Sequence, residues 1–313
     1  MRNFFQRTGK FRPRPASEDE RSDQQTIPED LWVKCPKCGE LIYSRELERS
    51  LQVCPKCGHH FRLRARERIA QLVDPGSFVE WDTTLRPEDP LRFVDGQGPY
   101  TEKIAKTQQK TGETEALISG TGVIDGRQAV ILVADFDFLG ATMGSVWGEK
   151  MSRAIERAIE RRLPVVTVNA SGGARMHEGL FSLMQMAKTV AGFEALGRAR
   201  LPHISLLVDP CYGGVTASYA TVADVVMAEP EAKIGFAGQR VIEQAIKQKL
   251  PKEFQTAEFM LEHGTIDLIA PRSEIKGTIA TLIDLYCGST PSPASEATTI
   301  PMTTAATMGS EDQ

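Results

Sequence analysis

Two pairs of adjacent glycines in this sequence could present backbone N–H groups to a negatively charged oxygen. The first pair follows Val165–Asn169, a β-branched apolar run typical of a strand, and precedes Leu180–Arg200, where apolar residues recur at helical spacing. A glycine pair there permits a sharp turn and leaves N–H groups uncovered near the positive end of a helix. Taken alone, such a pair is more often a tight turn that requires glycine for a positive φ.

A second copy of the pattern favours the chemical interpretation. Leu206–Val208 reads as a strand, Gly213 and Gly214 follow it, and the small residues of Thr216–Ala223 could continue as a helix. Two strand–turn–helix units within about 50 residues are typical of neighbouring βα units. Donors from both turns could then stabilise a developing oxyanion, for which the enolate of a thioester is the natural candidate.

Side chains that usually carry acid–base or nucleophilic chemistry are scarce. The sequence has five histidines, and His177 is the one nearest to the glycine turns. It could act as an acid or a base, although a lone histidine beside a turn is more often structural. The sequence contains neither a Gly-x-Ser-x-Gly elbow nor a Walker motif. These features together predict that a substrate or cofactor performs the proton transfer.

Four cysteines have the spacing of a two-knuckle zinc site, in the pattern Cys35-x₂-Cys38-x₁₅-Cys54-x₂-Cys57. Four thiolates form a closed tetrahedral site for one structural Zn²⁺, with no position open to water. A pair of redox dithiols is the alternative, which the near-duplication of the two motifs disfavours. Seven nearby basic residues indicate either a solvated face or contact with a polyanion, meaning nucleotide phosphates or nucleic acid: Lys34, Lys37, Lys56, Arg62, Arg64, Arg66 and Arg68.

The elements that must position these residues follow from hydrophobic patterning. Ala116–Ile124 and Gln128–Asp137 read as strands joined by Asp125-Gly126, a strong hairpin signal. Val146–Arg162 reads as an amphipathic helix with charged residues outward. Strands then alternate with helices to Tyr286, ending in a helix with Ser273 as its expected N-cap. This alternation predicts an α/β fold.

Composition limits the domain organisation and the cellular compartment that we expect for the chain. The chain has 313 residues, 41% hydrophobic and 25% charged, with a formal net charge of −4, so no global attraction to nucleic acid or membrane is expected. No apolar run is long enough for a membrane span. Cysteine usage suggests a reducing compartment. The arginines near the N-terminus could belong to a transit peptide, but the acidic residues from Glu18 onward argue against one, so we expect a bacterial cytoplasm rather than a plastid. We expect four segments: a disordered arm (1–30), a zinc ribbon (31–61), a main domain (62–287) and a disordered tail (288–313).

Four motifs together resemble a known family. They are the four-cysteine pattern, Gly140–Lys150, Ser171–Gly179 and Tyr212–Val215. In this combination they closely resemble the β subunit of the bacterial-type acetyl-CoA carboxylase carboxyltransferase, over about Leu31 to Tyr286. A zinc ribbon together with Ser-Gly-Gly-Ala-Arg is highly specific, whereas either motif alone is not.

The resemblance implies a fold, a reaction and partners. The fold is a crotonase-like (ClpP/crotonase) ββα superhelix, and the partner is an α subunit in an α₂β₂ assembly. The reaction transfers CO₂ from N1′ of carboxybiotin to the methyl carbon of acetyl-CoA, giving malonyl-CoA. Biotin is carried on a biotin carboxyl carrier protein, which a biotin carboxylase serves, and the biotin oxyanion takes the methyl proton. One oxyanion pocket is expected largely from this chain and another from the α subunit.

Residue roles follow from matching these motifs. We expect the thioester oxygen to be bound by N–H groups of the two turns, namely Gly172, Gly173, Ala174, Gly213 and Gly214. The candidates for the phosphates of CoA are the basic ribbon together with Arg153, Arg157 and Arg175.

Two alternatives stay open at the level of sequence. A zinc-ribbon nucleic-acid binder on the same scaffold is suggested by the basic charge around the ribbon. A stand-alone crotonase-like hydratase or acyl-CoA decarboxylase is the other, and the ribbon argues against it because such enzymes are not expected to carry one.

Overall fold

A computed structural model describes residues 31–288. The predicted arm (1–30) and all of the predicted tail except Gly288 therefore lie outside the described residues. Within that range the four cysteines belong to a small N-terminal ribbon, and a larger layered α/β unit follows it.

The ribbon begins with two short antiparallel strands, β1 (Trp32–Lys34) and β2 (Leu41–Tyr43). A short helix, α1 (Ser44–Arg49), follows β2 directly. Its Glu, Leu and Arg residues are good helix formers, and Leu47 is buried beside Cys35 and Cys54 in the small core of the ribbon.

One eight-stranded sheet organises the rest of the chain. Its spatial order is β12-β10-β9-β8-β7-β6-β3, and β11 pairs with the far end of β9. β4 (Val94–Asp95) and β5 (Gly98–Pro99) form a separate two-stranded pair. The strands of the main sheet are β3 (Val79–Trp81), β6 (Leu117–Ile124), β7 (Arg127–Ala134), β8 (Val165–Ser171), β9 (His203–Tyr212), β10 (Val225–Ala228), β11 (Ile234–Gly235) and β12 (Leu268–Ile269).

Seven helices of this unit connect or cover the strands. They are α2 (Ala65–Leu72), α3 (Tyr100–Thr111), α4 (Ser145–Arg161), α5 (Leu180–Arg198), α6 (Gln239–Ile246), α7 (Ala257–Glu262) and α8 (Arg272–Cys287). The predicted α/β alternation is therefore present, with element boundaries shifted by a few residues.

The predicted hairpin is confirmed and forms the antiparallel side of the sheet. β6 and β7 pair along their whole length, and Asp125 and Gly126 both have positive φ values, of 45° and 82°. This is the backbone that a two-residue turn between twisted strands requires. Both strands are almost fully buried, so the hairpin lies in the core of the unit.

Three parallel strands place the glycine turns on one edge. β7, β8 and β9 are parallel neighbours, with α4 connecting the first two and α5 the last two. Because the carboxyl ends of parallel strands meet at the same edge, the loops that follow these three strands converge there. Both predicted turns lie at this edge.

Two local predictions are wrong. Thr216–Ala223 forms turns and one 3₁₀ turn (Tyr219–Thr221) rather than an α-helix. Hydroxyls of Thr216 and Ser218 donate to the carbonyls of Gly213 and Gly214, and such local bonds compete with helix formation. The last helix is preceded by Pro271 as its N-cap, so Ser273 lies inside it.

Candidate functional site

The two glycine turns touch each other at the carboxyl edge of the sheet. Gly173 follows β8 and Gly213 follows β9, with φ values of +112° and +63°. A Cβ built on Gly213 would lie 2.8 Å from the Cα of Gly173, closer than real Cβ atoms approach other atoms. Only glycine therefore lets the two backbones meet. The prediction that the turns follow neighbouring strands is confirmed by the pairing of β8 with β9.

Three of the five expected N–H donors are already engaged within the chain. The N–H of Gly172 donates to a carbonyl in the loop after β7 at 2.8 Å. The N–H of Gly173 donates to the Ser171 hydroxyl at 2.9 Å. The N–H of Gly213 is shared between two carbonyls of the segment around β11, at 3.2 and 2.9 Å. These bonds fix the shape of the turns and leave these three groups unavailable to a ligand in this conformation.

The remaining two donors lie side by side. Within residues 31–288, the N–H groups of Ala174 and Gly214 donate to no acceptor of the chain. A Cβ built on Gly214 would lie 3.6 Å from the Cβ of Ala174, so the two turns bring these residues together. Two adjacent, uncommitted N–H groups on tightly held turns are the arrangement that stabilises an oxyanion.

Arg175, one of the expected ligands of CoA phosphates, is fully buried. Its guanidinium donates to Glu115 at 2.9 Å and to the carbonyl of Thr142 at 2.7 Å, and lies 3.3 Å from Glu178. Burial by itself would lower the pKa of Arg175, but the adjacent carboxylate of Glu115 raises it above its ordinary value. Because the side chain has no exposed surface and its donors are engaged, we do not retain Arg175 as a phosphate ligand.

The four cysteines converge as a zinc site requires. Their sulfur atoms all lie within 4.8 Å of one another, with Cys35 and Cys57 at 3.7 Å and Cys38 and Cys54 at 3.8 Å. A tetrahedron with Zn–S bonds of about 2.3 Å has edges of about 3.8 Å. The residues present therefore fit one structural Zn²⁺ held by four thiolates.

Comparison with known proteins agrees with both parts of this geometry. A sequence profile of the acetyl-CoA carboxylase zinc finger domain matches residues 32–57, and one of the carboxyl transferase domain matches residues 60–307. The chain is 56% identical over 295 residues to the acetyl-coenzyme A carboxylase carboxyl transferase subunit beta of Chloroflexus aurantiacus. That alignment covers 94% of this chain and 95% of the relative. The chain belongs to the family of acetyl-CoA carboxylase carboxyltransferase β subunits.

Solved structures with the same fold are more distant. A transcarboxylase 12S structure aligns with a TM-score of 0.59 at 23% identity, covering 77% of this chain and 42% of that one. A Pseudomonas malonate decarboxylase hetero-tetramer aligns with a TM-score of 0.57 at 23% identity, covering 75% of this chain and 86% of that one. The chain thus spans less than half of the transcarboxylase chain. These likenesses concern the fold, and together with the carboxyl transferase profile they confirm the crotonase-like α/β fold. The zinc-finger profile and the four converging cysteines confirm the N-terminal zinc ribbon.

The other arginines proposed for CoA in this β subunit, Arg153 and Arg157, lie along α4. Arg157 is twelve residues from Ser145, about 18 Å at 1.5 Å per residue. Both guanidiniums contact the carboxylate of Asp82, at 3.3 and 2.5 Å. Burial would raise the pKa of Asp82, but the two arginines lower it. Their role toward CoA phosphates stays a prediction, and the structure assigns them an acidic partner within the chain.

The basic cluster around the ribbon is largely neutralised by tertiary contacts. Six of its seven cations lie within ion-pair distance of a carboxylate, in the pairs Lys37–Glu231, Lys56–Glu40, Arg62–Asp209, Arg64–Asp135, Arg66–Glu113 and Arg68–Glu229. Most of these carboxylates are distant in sequence, so counting only local charges overestimated the basic character of the ribbon. The structure gives no support to the nucleic-acid alternative.

His177 lies in an aromatic environment behind the first turn. Its ring stacks on Tyr100 with centroids 4.9 Å apart and meets Phe93 edge-on at 5.3 Å. Burial lowers its pKa, and Nε2 lies 3.6 Å from a carboxylate oxygen of Asp95. These contacts fit the structural reading of this histidine better than an acid–base role.

α5 carries an exposed apolar surface that was not predicted from the sequence. α5 forms as expected, but its apolar stripe faces outward: Leu180, Phe181, Leu183 and Met184 are each between 48% and 69% exposed. The buried face of α5 is polar over its first part, at Ser182, Gln185 and Thr189. Gln185 packs so closely on Gly148 of α4 that a Cβ there would lie 1.9 Å from its Oε1. Helical periodicity finds the stripe, but it does not say which face the core covers.

The outward face of α5 borders the candidate oxyanion site. Met186, on the same helix, lies 3.0 Å from the position of a Cβ on Gly214. Across the second turn, Phe236 is 72% exposed, and its carbonyl accepts the N–H of Gly213. The half-buried Met186 and the exposed Phe236 therefore border the second turn. Separately, no helix among residues 31–288 has the length and apolarity to cross a membrane.

Proposed function

We propose that this chain is the β half of a carboxyltransferase that transfers CO₂ from carboxybiotin to acetyl-CoA, giving malonyl-CoA. The observation that carries the proposal is the pair of adjacent, uncommitted N–H groups of Ala174 and Gly214. The reaction passes through a thioester enolate, whose charge develops on one carbonyl oxygen. A pocket of fixed backbone donors stabilises such a charge without reorganising during the reaction.

The chain contributes binding and electrostatic stabilisation. Ala174 and Gly214 would donate to the thioester oxygen, and each donor of this kind is worth about 2.7–4 kcal/mol of transition-state stabilisation. When bound, carboxybiotin supplies CO₂ and the base that removes a methyl proton. The methyl carbon, carrying the electron pair of that C–H bond, then forms the new bond to CO₂.

The site requires a second subunit. We propose that an α subunit covers the outward apolar face of α5 and supplies the other oxyanion pocket, in an α₂β₂ assembly. Support comes from the exposed Leu180, Leu183 and Met184 on α5, the helix whose Met186 packs against Gly214. Apolar clusters of this kind on a surface mark sites of protein association. The biotin carboxyl carrier protein and biotin carboxylase complete the set of partners, and we place the assembly in a bacterial cytoplasm, where thiolates stay reduced.

The direct test is reconstitution. The chain would be co-expressed with the α-type subunit of its source organism, co-purified, and assayed for malonyl-CoA with acetyl-CoA and the carboxylated carrier protein. We expect product only when both subunits, acetyl-CoA and carboxybiotin are present. Failure of a stable, zinc-loaded complex to form malonyl-CoA would rule out the proposed reaction.

A further inference from the structure

We propose that a buried ionic cluster behind the first glycine turn positions the Ala174 N–H for catalysis. The cluster consists of Tyr100, Glu115, Arg175 and Glu178, all of which are at most 1% exposed. The inference rests on the proposed carboxyltransferase function and assigns to these four residues the role of positioning residues, since they hold the donor and do not touch the substrate.

Arg175 connects the cluster directly to the donor, because it follows Ala174 in the chain. Its backbone N–H donates to the carbonyl of Met143 at 2.9 Å, and its side chain donates to the carbonyl of Thr142 at 2.7 Å. The same guanidinium donates two hydrogen bonds to the carboxylate of Glu115, which lies just before β6. The residue next to the donor is thus fixed by both its backbone and its side chain.

Glu178 extends the connection to the start of α4. One carboxylate oxygen accepts the backbone N–H of Ser145 at 2.6 Å, and the other accepts the hydroxyl of Tyr100 at 2.7 Å. The packing is tight, because a Cβ on Gly144 would lie 2.5 Å from Oε1 of Glu178. The cluster therefore joins the first turn, the loop before α4, the start of β6 and α3.

A positioning role is favoured because a buried ionic cluster adds little net stability to the fold. Desolvating one guanidinium and two carboxylates consumes most of what their attraction returns, so apolar residues could stabilise the fold as well. What fixed charges provide is directional contact, which allows few alternative arrangements. Direction matters here, because misplacement of a catalytic group by about 1 Å can cost about 100-fold in rate.

The test uses two cluster variants in the complex with the α subunit. Arg175→Lys keeps the charge and loses the planar fork. Tyr100→Phe removes the hydroxyl that donates to Glu178 and accepts from Arg175, and it leaves all charges in place. We expect kcat to fall about 10- to 100-fold for Arg175→Lys and less for Tyr100→Phe, with the KM for acetyl-CoA changed less than about twofold. Amide exchange in the peptide containing Ala174 should accelerate in both variants.

The matched control is Arg68→Lys, since Arg68 is also buried and paired with a carboxylate, Glu229, but does not touch the glycine turns. Arg68→Lys should lower Tm about as much as Arg175→Lys does, and it should leave kcat near that of the unmodified complex. The proposal would be overturned if Tyr100→Phe and Arg175→Lys both fold and keep the kcat of the unmodified complex. An equal loss of kcat in Arg68→Lys would also overturn it. If Arg175→Lys does not fold, Tyr100→Phe decides alone. An inactive unmodified complex would instead refute the proposed function.

Discussion

At the scale of single residues, the site is defined by which N–H groups the fold leaves free. Five donors were expected from the two Gly-Gly motifs. Gly172, Gly173 and Gly213 use theirs to build the turns, and Ala174 and Gly214 keep theirs. Gly214 thus leaves its N–H free, whereas Gly173 and Gly213 let the two backbones meet.

A substitution at the crossing point of the turns tests this division. Gly213→Ala would place a Cβ 2.8 Å from the Cα of Gly173 and oppose a positive φ, so the two turns must separate. We expect kcat in the α-subunit complex to fall about 100- to 1000-fold, as when an oxyanion donor is lost. Steady-state rates of malonyl-CoA formation give the measurement.

The control for that substitution is Gly277→Ala on α8. Gly277 is exposed, and a Cβ there would meet no atom within 4 Å. Alanine in a helix interior is about 0.5–1 kcal/mol more stable than glycine, so this variant should gain stability and keep full activity. Normal activity of Gly213→Ala would contradict the assignment of the turns.

A buried carboxylate, Glu229, should make stability depend on acid pH. It lies between Arg68 and Arg272, at 2.6 and 2.8 Å. Burial would raise the pKa of Glu229, but the two arginines lower it to about 2. The unfolded chain binds this proton near pH 4.3, so between pH 4.3 and 2 the unfolded state holds more protons and stability falls as pH falls. The loss is about 3 kcal/mol.

Urea unfolding of Glu229→Gln at several pH values measures this contribution. At pH 7 the variant should be about 3–5 kcal/mol less stable, because two buried guanidiniums lose their counter-charge. The difference from the unmodified chain should narrow below about pH 4.3. Glu194→Gln, on the exposed surface of α5, is the control and should change little. A difference that stays constant over the pH range would contradict the linkage.

At the scale of elements, the start of α8 contacts the ribbon, as the Lys37–Glu231 pair also does. Arg272, the first residue of α8, donates to three ribbon carbonyls, those of Leu51, Gln52 and Phe61, at 2.9, 3.0 and 2.9 Å. The same guanidinium is paired with Glu229. The orientation of the ribbon therefore depends both on zinc, which shapes its turns, and on this arginine.

Loss of zinc tests whether the ribbon can lose its structure while the main sheet keeps its own. Cys54→Ala deletes one of the four thiolates from a buried position, and we expect zinc content to fall from one per chain to below detection. Amide exchange should accelerate across residues 31–61 and stay slow in β7 and β8. Cys287→Ser, at an exposed cysteine outside the cluster, should retain zinc. Full zinc binding by Cys54→Ala would refute the four-thiolate site.

At the scale of the whole molecule, exposed apolar side chains border the candidate site. The outward face of α5 and Phe236 are exposed, whereas Ala174 is half-buried and Gly214 is buried beside Met186. α6 adds to this exposed region, since none of its residues is buried and Val241 is 61% exposed. An edge of this composition fits a subunit whose site is completed by a partner.

Two leucine-to-glutamate substitutions test whether the outward face of α5, and not every exposed apolar side chain, binds the α subunit. Leu183→Glu places a charge on the outward face of α5, and Leu285→Glu does so on α8, where Leu285 is 74% exposed. Neither should alter folding by more than about 0.5 kcal/mol. We expect Leu183→Glu to weaken binding to the α subunit by about 2 kcal/mol or more, roughly 30-fold, and Leu285→Glu to leave it unchanged. Titration calorimetry gives both affinities, and equal effects would contradict the assigned interface.

Four features could be predicted from sequence alone: the zinc ligands, the β6–β7 hairpin, the α/β alternation and the two glycine turns. These features depend on local spacing, turn chemistry and periodicity, which neighbouring residues fix without reference to the rest of the chain. The resemblance carried by the motifs pointed to the same family that the comparisons show.

Only the tertiary structure decided which donors are free, which charges are paired and which helix face is buried. Arg175 reads as a phosphate ligand in sequence, but Glu115, 60 residues earlier, buries and neutralises it. The apolar stripe of α5 reads as a core face, but Gln185 packs on Gly148 and turns that stripe outward. Each outcome depends on contacts between distant segments, and such contacts exist only once the sheet has brought its carboxyl ends together.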